Sequence, residues 1–101
     1  MRALLLENIH PDGAAALEKA GFVVETEDRA LEGEELAARL EGVNVLGIRS
    51  KTQVTAAHLR EADSLLAVGA FCIGTDQIDL SAAADTGIAV FNAPYSNTRS
   101  V

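Results

Sequence analysis

Short apolar runs recur along this chain, each followed by a stretch with helical spacing. Residues 3–6 (Ala-Leu-Leu-Leu) form the first run, which ends at Glu7-Asn8. A run without alternation suits a strand covered on both faces. Pro11-Asp12 opens a helix in which Ala14, Leu17 and Ala20 share one face, and Gly21 stops it. Phe22-Val23-Val24 reads as the second strand. The acidic stretch from Glu25 to Glu35 reads as a solvated loop leading into a helix over 34–41. There Leu36 and Leu40 stack at i, i+4, and Gly42 ends the helix. The scheme then repeats: a strand over 43–48, the loop Arg49-Ser50-Lys51-Thr52, and a helix capped by Thr55 that runs through Asp63. Residues 65–68 form the fourth strand, followed by a loop from Gly69 to Thr75. Asp79 or Ser81 caps a short Ala-rich helix closed by Gly87, residues 88–91 make the fifth strand, and Asn92-Ala93-Pro94 breaks the pattern.

Five short buried strands separated by helices predict an α/β protein. Right-handed crossovers leave few topologies. The expected one is a flavodoxin-like three-layer sandwich, with a five-stranded parallel sheet in the order 2-1-3-4-5 and helices on both faces. With no linker and no low-complexity segment, residues 1–101 read as one domain.

Composition sharpens this picture. Hydrophobic residues make up 49% of the chain and aromatics only 4%, with no Trp, so the core must be built from Val, Leu, Ile and Ala. A net charge of −7 repels nucleic acid and anionic membrane surfaces, so neither is expected as a partner. No apolar run approaches the ~20 residues of a membrane span. Met1-Arg2 leads directly into a strand with no signal-peptide pattern. The single Cys72 cannot form an internal disulfide and fits a reducing compartment. A cytoplasmic protein is expected.

In open α/β sheets ligands bind outside the carboxyl ends of the strands, near the switch point between strands 1 and 3. The residues that follow each strand are therefore the informative ones: Glu7 to His10, Arg49 to Thr52, Phe71 to Thr75, and Asn92 to Arg99. Of eight basic residues, Arg49, Lys51 and Arg99 fall at this end, while most of the fifteen acids fall on helices and on the loop near Glu27. A locally positive rim on an acidic protein suits a small phosphate or carboxylate. Arg49 can grip an oxyanion through two parallel hydrogen bonds, Ser50 adds a neutral donor, and Lys51 adds a mobile point charge. A solvated basic turn paired with nearby acids is the competing explanation. Gly69 and Gly74 bracket a loop whose backbone amides could meet a ligand, although turns use glycine for their own sake.

Cys72 sits in that loop, but a nucleophilic thiol needs an adjacent base. The only histidines are His10, placed to help start the first helix, and His58, placed mid-helix facing solvent or packing. No catalytic residue and no metal ligand is assigned.

Three segments then read together. Gly47 to Thr52, Ala70 to Leu80 and Phe91 to Val101, with the opening Leu-Leu-Leu-Glu-Asn-Ile-His, closely resemble the NAD-dependent D-2-hydroxyacid dehydrogenases, and within them the bacterial D-3-phosphoglycerate dehydrogenase branch. The resemblance covers essentially the whole chain. It implies two lobes with the active site and nicotinamide between them, and a discontinuous substrate-binding lobe of which residues 1–101 are the first pass. It further implies that Arg49, Ser50 and Lys51 contact the substrate phosphate or carboxylate. The family often has a second arginine where Lys51 stands, so Arg49 is the firmer assignment. The backbone of Ile73 and Gly74 would cradle the substrate carboxylate, and Asn97 would lie near both substrate and NAD. The implied substrate is 3-phosphoglycerate or a similar small 2-hydroxy acid.

The chain has no Gly-x-Gly-x-x-Gly turn. The family's catalytic histidine, its carboxylate partner and its substrate-orienting arginine belong to later sequence. The chain by itself is therefore expected to be inactive. Three other readings stay open. A receiver-type module needs acids where Arg49 and Lys51 stand, and a flavin module needs small donors where Glu7 and Pro11 stand. A half-lobe with uncovered apolar surface is expected to form a homodimer or other homo-oligomer.

Overall fold

Each apolar run becomes one row of a parallel sheet, because each is too short for anything but a strand and is followed by a helix that returns the chain. The computed structural model describes residues 1–9, 11–71 and 77–92. The order of elements is β1 (Arg2–Leu5), α1 (Pro11–Lys19), β2 (Val23–Thr26), α2 (Gly33–Arg39), β3 (Val45–Ile48), α3 (Ala56–Glu61), β4 (Ala67–Ala70), α4 (Leu80–Thr86) and β5 (Ala89–Asn92). All five strands pair in parallel in the order β2-β1-β3-β4-β5, the order expected from the sequence.

Side chains alternate across the sheet, so each strand sends two sets of residues to opposite faces. One set, with Leu4 and Leu6, Leu46 and Ile48, Val68 and Ala70, joins Leu36 of α2 and its C-cap Leu40, Leu59 of α3, and Ala82 and Ala83 of α4 in a single core. Those helices pack side by side, α2 on α3 and α3 on α4. Each fully buried leucine in this layer contributes roughly 2 kcal/mol through burial.

Among the described residues, α1 is the one helix on the other face. No residue of α1 is fully buried, and Ala20, expected on its apolar face, is exposed. Burial along this face falls away from α1: Ala3 and Leu5 are buried, Val45 and Ala67 are half-buried, and Ala89 and Phe91 are exposed. The expected layers are present, but unequal.

Several boundaries differ from the sequence reading for physical reasons. The fourth strand starts at Ala67 rather than residue 65, since the Leu65 amide still donates to the Ala62 carbonyl and Leu66 is exposed. Gly69 is therefore a strand residue and not part of a ligand loop. It pairs with Gly47 in register, and a Cβ there would come within 2.6 Å of the Phe91 ring. Glu25 and Thr26 belong to β2 rather than to a solvated loop, with Arg2 paired to Glu25 at 2.8 Å. Asp79, not Ser81, caps α4 by accepting from the Ala82 amide. Gly87 closes that helix in the left-handed conformation at φ 77°.

His58 is buried rather than solvent-facing, and it belongs to a reciprocal cap. The His58 amide donates to Thr55 Oγ1, while the Thr55 amide donates to His58 Nδ1. Among the described residues no helix is long and apolar enough to cross a membrane.

Candidate functional site

Because β1 lies between β2 and β3, the loops after those three strands meet at one edge. The chain leaves β1 through Glu7 and Asn8, both left-handed at φ 63° and 56°. Left-handed backbone is costly for residues other than glycine, so it must be held from outside. The Glu7 amide donates to the Arg29 carbonyl at 3.2 Å and the Asn8 amide to the Glu27 carbonyl at 3.1 Å. This turn aims the Glu7 side chain at the loop after β3.

There the carboxylate meets three backbone amides: Arg49 at 2.8 Å and Thr52 at 3.0 Å on Oε2, and Lys51 at 2.9 Å on Oε1. Burial alone would raise the Glu7 carboxyl, but the Thr52 side chain and the amides of Lys51, Arg49 and Thr52 hold it below its ordinary value of 4.5. Thr52 Oγ1 makes no well-formed hydrogen bond, so its influence is electrostatic and the amides supply the anchoring. The start of this loop is also gripped by residues between β4 and α4. The Phe71 amide donates to the Ile48 carbonyl, and Gln77 Nε2 donates to the Arg49 carbonyl, both at 2.7 Å.

On this pinned backbone Arg49, Ser50 and Lys51 stand exposed and line an open cleft of about 420 Å³ with Glu7, Asp28, Arg29 and Ala30. Three cations face two carboxylates, and one of those carboxylates, Glu7, is already committed to amides. Arg29 pairs with Glu35, whose carboxyl is lowered chiefly by that contact. Glu27 is lowered first by its hydrogen bond from Arg39, at 2.9 Å.

Of the residues singled out from sequence, Arg49, Ser50 and Lys51 are brought together. Ile73, Gly74, Asn97, Cys72, Arg99 and His10 lie outside the described residues. Of the described neighbours of those residues, the Phe71 amide bonds to the Ile48 carbonyl and the Gln77 side chain to the Arg49 carbonyl. Sequence reasoning placed Glu7 at this edge without giving it a role, and missed Arg29. The signal for Arg29 was available: the loop after strand 2 must reach the same edge, yet it was set aside as solvated.

Among the described residues no group of three or more His, Cys, Asp or Glu could hold a metal. A dinucleotide does not fit the described edge either. The turn after β1 presents a carboxylate where a pyrophosphate wants amides, and the chain has no glycine-rich phosphate turn.

The family model of the D-isomer specific 2-hydroxyacid dehydrogenase catalytic domain matches residues 3–101. D-3-phosphoglycerate dehydrogenase of Dictyostelium discoideum is 48% identical over 101 residues, covering all of this chain and 25% of that protein. The enzyme of the same name in Escherichia coli is 44% identical over 102 residues, again 25% of its length. The chain thus spans about a quarter of the curated relatives it matches. Among solved structures, NAD⁺-bound 3-phosphoglycerate dehydrogenase of Entamoeba histolytica superposes with a TM-score of 0.78 over 96% of this chain and 34% of that one. At 23% identity this likeness speaks for the fold.

Proposed function

Since this chain belongs to the D-isomer specific 2-hydroxyacid dehydrogenase family, we propose that residues 1–101 form the first segment of the substrate-binding domain of an NAD-dependent D-3-phosphoglycerate dehydrogenase. Such an enzyme moves a hydride from 3-phosphoglycerate to NAD at the entry to serine biosynthesis, in the cytoplasm. One observation carries the substrate role: Arg49, Ser50 and Lys51 line a cleft on a loop pinned by Glu7 and Gln77. A guanidinium fork, a hydroxyl and an ammonium group on a fixed backbone form a receptor for an oxyanion.

In this reading Arg49 grips the phosphate or carboxylate in two-pronged fashion. Ser50 donates a neutral hydrogen bond, and Lys51 adds charge without fixing direction. The backbone of Ile73 and Gly74 holds the carboxylate, and Asn97 lies near substrate and nicotinamide. NAD, bound by parts of the whole enzyme outside residues 1–101, would supply the hydride-accepting chemistry. Nothing in residues 1–101 is assigned to take the hydroxyl proton or to hold the pyrophosphate. The segment therefore contributes binding energy and orientation, which lower the barrier only when joined to the proton acceptor and the cofactor.

The whole enzyme carrying Arg49→Lys tests this. Its kcat/KM for 3-phosphoglycerate should fall by about tenfold or more, because lysine keeps the charge and loses the fork. An unchanged kcat/KM removes Arg49 from the substrate site. The isolated chain, given NAD and 3-phosphoglycerate, should form no NADH.

A second feature concerns assembly. The β5 edge of the face that carries α1, with Ala89 and Phe91 exposed, favours association between copies of this chain as a homodimer or higher homo-oligomer.

A further inference from the structure

Building on the reading of residues 49–51 as the substrate-anion loop, we infer that Glu7 is a positioning residue for that loop. Its carboxylate fills the amide cradle of Arg49, Lys51 and Thr52 from inside the protein, leaving the side chains to take up the substrate anion. Convergent backbone amides form a concave anion site, the kind that elsewhere holds a ligand phosphate or carboxylate. Here both carboxylate oxygens are used, Oε2 by Arg49 and Thr52 and Oε1 by Lys51.

Two consequences follow from that occupancy. The base of each cationic side chain is fixed relative to β1, so the Arg49 fork starts from a defined point. A substrate anion, unable to claim the amides, must be recognised by side-chain geometry, which discriminates more sharply than a bare cradle. The backbone at Glu7 supports the assignment. It is left-handed at φ 63°, and so is Asn8 at φ 56°, a succession that non-glycine residues adopt only when held. Gln77 grips the same residue through its next peptide unit, at the Arg49 carbonyl.

The test uses the whole enzyme with Glu7→Gln, Glu7→Gly and, as a control destabilised elsewhere, Leu59→Ala in the α3 core. Glu7→Gln should raise KM for 3-phosphoglycerate about tenfold with kcat nearly unchanged. Glu7→Gly suits the left-handed backbone but empties the cradle. Its raised KM should fall back when formate is added, because a free carboxylate re-enters. Leu59→Ala should lower Tm and leave KM alone.

An unchanged KM in Glu7→Gln overturns the assignment, as does a KM that rises equally in Leu59→Ala or one that formate does not restore. Where the Glu7 variants do not fold, Gln77→Met removes the grip on the Arg49 carbonyl. It should raise KM without responding to formate, and an unchanged KM counts against the proposal. Wild-type enzyme that neither binds nor oxidises 3-phosphoglycerate sinks the functional reading instead. The cradle is then judged in Glu7→Gly by whether formate restores the wild-type amide shifts of Arg49, Lys51 and Thr52.

Discussion

The Glu7 carboxylate accepts the Arg49 amide proton at 2.8 Å across 42 positions of sequence. The contact exists because β1 and β3 are neighbours in the sheet, with Leu5 beside Gly47, so the chain leaves both strands at the same edge.

This contact makes stability depend on pH. The folded Glu7 carboxyl lies below its ordinary value of 4.5: burial opposes its charge, and the Thr52 side chain with the amides of Lys51, Arg49 and Thr52 outweighs burial. A depressed carboxyl stabilises the fold above the unfolded value and loses that contribution as pH falls through the folded one. Urea unfolding should show wild type more stable than Glu7→Gln by about 2 kcal/mol at neutral pH. The gap should close as pH drops below 4.5. A gap independent of pH contradicts an ionised Glu7.

His58 joins two helices. The Thr55 amide donates to Nδ1 at 3.1 Å, which leaves the proton on Nε2 to donate to the Gly33 carbonyl at 2.9 Å. His58→Ala removes both bonds from a buried position and should lower stability by about 2–3 kcal/mol in denaturant titration. Glutamine can still reach back to the Thr55 amide, so His58→Gln should lose roughly half as much. Equal losses mean the cap contributes nothing.

Phe91 should govern self-association. It is 45% exposed on the face of β5 that α1 leaves uncovered. Sedimentation of the chain should show concentration-dependent dimers that Phe91→Asp abolishes. A wild-type monomer at every concentration removes the proposed interface.

The topology was legible because four short apolar runs, each followed by a helical stretch, and a fifth after Gly87 allow little besides a parallel sheet, and right-handed crossovers narrow its order to a few, of which 2-1-3-4-5 is the one observed. Thr55 and Gly87 were legible because caps depend on local chemistry. The start of β4 was not: Leu65-Leu66 looks like a strand, but the register is set by hydrogen bonds to β3, which place Gly69 opposite Gly47. Glu7 was placed at the right edge but given no role, because the amides it meets lie 42 to 45 positions away in sequence. Only coordinates show that its charge is spent on amides and not on the cleft. Arg29 was hidden by its acidic neighbours, and the small burial of α1 by a helix pattern that periodicity cannot distinguish from a covered one.

The most direct test is a titration of this chain, labelled with ¹⁵N, with 3-phosphoglycerate, following every backbone amide. Shifts centred on Arg49, Ser50 and Lys51 that glycerol does not reproduce and that Arg49→Gln suppresses are expected. Shifts centred on the groove between α2 and α3 near Glu34 and Glu61, or the same pattern in Arg49→Gln, would contradict the assignment of the 49–51 loop as the substrate-anion site.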